Sequence, residues 1–288
     1  MLTPGVAHET LLSGRTLQLW AVTFLTCFGI ASAAAGLIEA LFNDPFKPFG
    51  AYYLGAALLG CCTIATVRVW PRKSFSRYFP IPGTTITIVI GDLFDQDGHL
   101  IVGVNDTFDT DTTSVIAPHS IQGQMLHREY SGDLPRLDED LEKALRDVQP
   151  ARLESRADRP QGKLARYPVG TVAVIGERDR RFFCAAYATS DNGNVVHSTL
   201  DHLWQSLSEI WEAVRRHGER RTVSVSVLGT GLARISNLPP GDLIRLILIS
   251  YMAASREAVI ADQLRLVIHP TLAANLNIKE IEDFLSAQ

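Results

Sequence analysis

Hydrophobic positions along the chain follow two regimes. Between Arg15 and Glu39 run 23 residues without a charge, and between Lys47 and Arg68 another 20. Coiled as helices at about 1.5 Å per residue, each run reaches roughly 30 Å, the thickness of a bilayer's hydrocarbon core. They predict a two-helix transmembrane hairpin with spans over 16–38 and 48–67. Trp20, Tyr52, Tyr53 and Trp70 stand near the run ends, where an aromatic belt forms. Two buried helices of a soluble core are the alternative, but uninterrupted runs of this length are rare there. A cleavable signal peptide fits poorly, because the first run is too long and a second follows closely.

From residue 84 onward the pattern breaks into short apolar runs alternating with amphipathic ones. Strands are predicted over 84–90, 100–104, 171–175, 182–187, 222–228 and 264–268. The run 100–104 suits a strand covered on both faces. Leu137, Leu141, Leu145 and Val148 repeat at helical spacing, and a wider stripe joins Leu200, Leu203, Trp204, Leu207, Ile210, Trp211 and Val214. That stripe assigns Trp204 and Trp211 to the core. Ser198 or Thr199 would cap its helix and Gly218 would end it, while Asp242 opens a third helix after Pro239 and Pro240. Alternating strands and helices of this kind predict a three-layer α/β/α domain with a mixed sheet. Residues 71–83, with Pro71, Pro80, Pro82 and Gly83 among basic residues, read as a juxtamembrane linker. Residues 149–167 are polar, Arg-rich and aperiodic, and read as an exposed insertion. The expected domains are therefore 1–80 and 81–288.

Charge sharpens this division. Residues 1–80 hold six basic and three acidic groups, so 21 of the 27 basic and 28 of the 31 acidic groups lie in 81–288. An acidic body lacks the clustered cations that nucleic acid requires. Arg68, Arg72, Lys73 and Arg77 follow the second run, and positive flanks stay in the cytoplasm. Both termini are thus expected in the cytoplasm of a cell whose inner membrane holds the hairpin. No charge lies within either run, so no ion-coupled transport site is expected. Gly29, Ser32, Ala33 and Gly36 in the first run, and Gly55, Ala56 and Gly60 in the second, allow close helix approach. They serve either the hairpin itself or assembly between chains. Cys27, Cys61, Cys62 and Cys184 show no metal-binding spacing, and neither a metal nor a resident cofactor is expected.

Four polar motifs follow predicted strands or open a helix. Ile90-Gly91-Asp92-Leu93-Phe94 places a carboxylate just past a strand's carboxyl end, where open α/β sheets collect ligands; the same Asp could simply cap the turn. Val104-Asn105-Asp106-Thr107-Phe108-Asp109-Thr110 offers groups for ribose hydroxyls, or for the loop's own backbone. Ser120-Ile121-Gln122-Gly123-Gln124 opens a short helix whose first amides would suit an anion, or whose serine is an ordinary N-cap. Leu228-Gly229-Thr230-Gly231-Leu232-Ala233-Arg234 provides glycines that let a backbone curl around phosphate oxygens, although Gly-Thr-Gly is common in turns. It is neither a Walker loop nor a Rossmann fingerprint. Taken together the four describe one crevice for a nucleotide with ribose and diphosphate.

This set, in this order over about residues 84–270, resembles the macro domain, an ADP-ribose-binding α/β/α fold. The resemblance implies that Asp92 and Leu93 meet adenine and that Val104, Asn105, Thr107, Phe108, Asp109 and Thr110 lie by the distal ribose. Ser120, Ile121, Gln122, Gly123 and Gln124, with Gly229, Thr230, Gly231, Leu232, Ala233 and Arg234, would then hold the diphosphate. The stretches 104–110, 120–124 and 167–173 resemble more specifically the divergent macro domains of Thoeris antiphage systems, in one type of which two membrane spans precede the domain. That likeness implies a TIR-domain partner making a histidine-linked ADP-ribose signal, which the macro domain senses. Two short spans without charges do not make a transporter, so ligand binding is expected to assemble the chains into a homo-oligomer and disrupt the membrane, without catalysis. The second Asn and long glycine run of hydrolytic macro domains are missing here, Phe108 and scattered Ser/Thr standing instead. The alternative is a macro-domain ADP-ribosyl hydrolase tethered to the membrane.

Overall fold

In the computed structural model, the described residues are 14–42, 50–69, 74–231, 233, 235 and 238–288. The chain divides into two compact units, Met1–Arg72 and Lys73–Gln288.

The first unit is a pair of packed helices, α1 (Gly14–Phe42) and α2 (Gly50–Val69). Each contains a stretch long and apolar enough to cross a membrane, Trp20–Leu41 and Gly50–Val67. Trp20 Nε1 donates to Thr66 Oγ1 across the pair at 3.2 Å, and Cys61 and Ala65 are buried. The hydroxyls of Thr26, Thr63 and Thr66 donate to the carbonyls four residues earlier, so these polar groups are satisfied inside their own helix. Leu25, Ile30, Leu37, Leu41, Leu59 and Val67 are all exposed. Gly29, Gly36, Gly55 and Gly60 do not form the α1–α2 contact: a Cβ on any of them would meet nothing within 4 Å. For these four glycines, the internal one of the two uses foreseen is not realised. Trp70, Arg72, Lys73 and the predicted outer loop lie outside the described residues.

The second unit contains the sheet. Its strands are β1 (Ser74–Phe79), β2 (Thr84–Ile90), β3 (His99–Asn105), β6 (Val172–Glu177), β7 (Arg180–Ser190), β8 (Val196–His197), β9 (Val223–Ser226) and β10 (Gln263–Ile268), with β4 (Arg152–Leu153) and β5 (Ala165–Arg166) forming a separate small hairpin. The order is β1-β2-β10-β9-β3-β7-β6, and β8 adds to β7. Strands β2, β10, β9, β3 and β7 are mutually parallel; β1, β6 and β8 pair antiparallel at the margins. The β-branched run of β2 and the apolar run of β3 supply residues to both faces, as central parallel strands must.

Helices cover both faces. Leu100, Val102 and Val104 of β3 pack with Met125 and Leu126 of α3 (Ile121–Arg128) and Leu137, Leu141 and Leu145 of α4 (Leu134–Leu145). Ile86, Ile88 and Ile101 face the other way, against α5 (Leu200–His217), α6 (Pro240–Glu257) and α8 (Ile278–Ala287); a short α7 (Pro270–Ala273) precedes the last. The three-layer arrangement expected from the sequence is present. Thr199 rather than Ser198 caps α5, and α6 starts at Pro240, leaving Asp242 in its first turn.

Three readings of the sequence need correction. Residues 74–79 are an edge strand of the sheet rather than linker, so a cut at 80/81 would remove β1 from β2. Trp211 is buried against Tyr251, but Trp204, on the same stripe, is 45% exposed at the stripe's edge. The segment 149–167 is exposed only in part, because Arg159 and Glu154 within it are buried.

Candidate functional site

The five parallel strands end on one edge of the sheet, so the segments that follow them gather there. Between neighbouring β3 and β9 the chain departs in opposite senses: β3 leads to α3 on one face and β9 to α6 on the other. A crevice opens at such a switch point, and ligands of open α/β sheets bind there.

At its β2 end, Gly91 and Asp92 are half-buried while Leu93 and Phe94 are buried. Asp92 Oδ1 accepts from the Phe94 amide at 2.8 Å, and its Oδ2 meets Arg128 Nη1 at 2.8 Å. Arg128, from the last turn of α3, also holds Asp95 and lies 5.3 Å over the Phe94 ring. Asp92 thus does cap its turn, yet its side chain stays 32% exposed and a carboxylate has acceptor positions beyond these two.

The segment after β3 is closed on itself. Asn105 Nδ2 donates to Asp109 Oδ2 at 3.0 Å and Asn105 Oδ1 accepts from the Asp109 amide at 3.1 Å. Thr107 Oγ1 also donates to Asp109 Oδ2, and Thr110 Oγ1 to Asp138 at 2.5 Å. Asp109, 1% exposed, faces Arg159, 0% exposed, at 2.8 Å. Its Oδ1 accepts from the Lys163 amide at 2.6 Å. Asp106 binds Arg166 at 2.9 Å and accepts from the Ser190 amide at 2.8 Å, while Arg166 also holds Glu154. Buried carboxylates require such partners, since an unpaired buried charge is strongly unfavourable. Phe108 adopts φ +50° and packs its ring edge-on against Tyr167. The polar groups of this segment, proposed from sequence for ribose, are thus bonded to one another, to Asp138 and Ser190, and through the two carboxylates to the 149–167 segment, and Val104 is core.

On the α3 side, Ser120 is an N-cap whose hydroxyl accepts from the Gly123 amide at 3.1 Å. Gln122 Nε2 donates to the Asp109 carbonyl and Gln124 Nε2 to that of His119 at 3.0 Å. Gly123 is required by packing: a Cβ there would stand 2.6 Å from the Ala117 carbonyl oxygen. The amides of Ile121 and Gln122 are first-turn donors with no acceptor in their own helix. On the β9 side, Gly229 has φ +83°, and its carbonyl accepts from the Ile235 amide at 3.0 Å. Thr230 Oγ1 donates to the Val227 carbonyl at 2.8 Å, Gly231 is exposed and Ala233 is buried. Leu232 and Arg234 lie outside the described residues.

Tyr187 was missed by the sequence reading, which saw only an aromatic position in a strand. Between Val104 and Asn105 the β3–β7 register slips, Val104 facing Ala186 and Asn105 facing Ala188, so Tyr187 is the extra residue of a bulge. Its ring fills the space beside Gly103. Burial pushes the phenol up to about 12, with the Gly229 amide working the other way. Burial likewise pushes the Cys184 thiol up to about 12, leaving it inert beneath the site. Among the described residues no group of His, Cys, Asp or Glu has the arrangement of a metal site.

The fold and this crevice together define a macro domain, and the comparisons agree. The macrodomain of Oceanobacillus iheyensis solved with ADP superposes with a TM-score of 0.51 at 13% identity, covering 75% of this chain and 100% of that one. Its mutant D40A gives 0.50 at 13% identity over the same shares. The sequence profile of the family described as "Thoeris protein ThsA, Macro domain" matches residues 86–269, and the chain belongs to that family. The Thoeris protein ThsA of Bacillus amyloliquefaciens (strain Y2) is 28% identical over 157 residues, 53% of this chain and 50% of that protein. The chain thus spans about half the length of the curated relative it matches.

Proposed function

We propose that this protein is a membrane-anchored receptor and effector: its macro domain binds an ADP-ribose-derived signal in the switch-point crevice, and binding drives assembly that disrupts the membrane in antiphage defence. The observation that carries the reading is the convergence of Asp92, the α3 amino terminus and the Gly229–Gly231 turn on one sheet edge. A carboxylate for an exocyclic amine and two sets of backbone amides for a diphosphate are what such a ligand needs. Histidine-linked ADP-ribose made by a TIR-domain protein is the signal we favour, from the likeness to Thoeris macro domains.

The hairpin supports the membrane half. Its outer surface is apolar, and the hydroxyls of Thr26, Thr63 and Thr66 are bonded within their helices, as a hydrocarbon environment demands. With both termini in the cytoplasm, the macro domain would meet a cytoplasmic signal. Open glycine positions on both helices are surfaces on which hairpins of several chains can pack closely.

Binding without turnover is favoured over hydrolysis by the state of the carboxylates. A general base must reach a water or hydroxyl. Asp106 and Asp109 are instead neutralised by Arg166 and Arg159, and Asp92 by Arg128. Calorimetry of the full chain in detergent micelles should register binding of ADP-ribose or its histidine adduct, and chromatography should recover the ligand intact. Absence of binding refutes the receptor reading, and product formation replaces it with the hydrolase.

A further inference from the structure

We propose that Arg128 is a positioning residue for base recognition: from the last turn of α3 it fixes the carboxylate plane of Asp92, and so sets a preference for a base with an exocyclic amine over one with a carbonyl there. The inference rests on the ligand reading given above and deepens it. Arg128 Nη1 donates to Asp92 Oδ2 at 2.8 Å, and Nη2 donates to Asp95 Oδ1 at 2.6 Å. The guanidinium carbon lies 5.3 Å from the centre of the Phe94 ring. One planar fork thus engages Asp92, Phe94 and Asp95, two by charge-assisted bonds and one over a ring face. The other oxygen of Asp92 accepts from the Phe94 amide at 2.8 Å. With both oxygens anchored the carboxylate cannot turn, yet each oxygen keeps a lone-pair direction for a further donor.

An ion pair between two free surface side chains orders little. This one stands on a fixed base. Met125 and Leu126, 1% and 3% exposed, pin α3 against the sheet one turn before Arg128. The residue after it, Glu129, binds Arg180 at 2.6 and 3.0 Å. Arg180 in turn donates to the Gln96 carbonyl at 2.8 Å and the Phe94 carbonyl at 3.2 Å. Gln96 Nε2 closes the segment on itself by donating to the Asp92 carbonyl at 2.9 Å. The backbone of 92–96 is therefore held by Glu129 through Arg180, and the Asp92 side chain by Arg128. Asp92 remains 32% exposed, so the oriented carboxylate is open to a ligand. A fixed acceptor of this kind bonds an amine without first being ordered, and it faces a carbonyl oxygen as an unpaired, repelling partner.

The test is calorimetry of the full chain in the same micelles with two ligands, ADP-ribose and inosine diphosphate ribose, which carries a carbonyl in place of the adenine amine. Their affinity ratio is the readout, because a change in the charge of the site moves two diphosphates alike. The wild type should prefer ADP-ribose. Arg128→Met keeps the length of the stem and removes the fork; it should lower the ratio about tenfold, one charge-assisted hydrogen bond's worth, towards that of Asp92→Ala. Added to Asp92→Ala, the same change should leave the ratio where it is, since the two residues act as one unit. Arg128→Lys keeps the charge without the fork and should lower the ratio less. Thermal denaturation verifies that each variant is folded. A ratio unchanged in Arg128→Met, or one that falls further in the double variant, or a Lys variant no better than Met, overturns the positioning role and leaves the receptor reading standing. A wild type that binds both ligands equally does the same. A wild type that binds neither overturns both.

Discussion

Asp92 holds the Phe94 amide on one oxygen and Arg128 on the other, and it is still partly open to solvent. An adenine amine would add a third partner to a carboxylate already oriented by the first two. Asp92→Ala removes that acceptor, and leaving a buried amine unsatisfied costs about 1–3 kcal/mol, about fivefold to 150-fold in Kd. Calorimetry on the variant checks the figure; an unchanged Kd removes Asp92 from the site. His99 tests a different residue-level claim, at the opposite end of β3. Its Nδ1 accepts from the Arg181 amide at 3.1 Å, and its Nε2 faces the Gly218 carbonyl at 3.1 Å, so the ring is neutral in this arrangement. Burial lowers its pKa below 6.5, only partly offset by the Gly218 carbonyl. The unfolded chain then binds the proton more readily than the folded one, so this contribution is complete above about pH 6.5 and is lost as pH falls below it. Urea midpoints at pH 7.5 and 5.5 should fall on acidification, and fall less in His99→Gln. Equal falls in both proteins would assign the pH effect elsewhere.

At the scale of elements, the interior strands and the three amphipathic helices were legible because period and burial agree in them. The core strand run 100–104 became β3 with one residue added at each end. Strand β1 was not legible, since its six residues lie between Pro71 and Pro80 in a basic segment that reads as linker, and its pairing with β2 is a hairpin across a proline-containing turn. The polar segment after β3 was legible as unusual but not as self-satisfied. Its carboxylates find Arg159 and Arg166 at separations of 50 and 60 residues, for which no local pattern exists. Those arginines staple the β4–β5 hairpin to the loop after β3. Truncating one member of a buried pair leaves its partner uncompensated and costs about 3–5 kcal/mol. Arg159→Ala should therefore lower the denaturant midpoint markedly and expose 151–163 to limited proteolysis before the rest of the sheet. A variant as stable and as protease-resistant as wild type would contradict the staple. The candidate site shows the same division: Asp92, Ser120 and the Gly-Thr-Gly turn could be picked out by position after a strand or before a helix. The placement of Tyr187 could not, because it depends on a bulge and on a glycine in the neighbouring strand.

The whole molecule joins two units whose chemistry is opposite, an apolar hairpin and an acidic macro domain. Alkaline carbonate extraction should leave the full chain in the membrane pellet, and recovery in the supernatant would remove the membrane from the account. A signal can drive assembly only by binding the assembled state more tightly than the single chain. The open faces at Gly29, Gly36, Gly55 and Gly60 are where such assembly would bring hairpins together. The most direct measurement follows a membrane-potential dye in cells expressing this protein with the TIR-domain protein proposed to make its signal. The account predicts depolarisation with an active partner, none with an inactive one, and a loss of the response in Asp92→Ala and in Gly36→Leu. A membrane that stays polarised while ligand is demonstrably bound to the wild-type chain would contradict it.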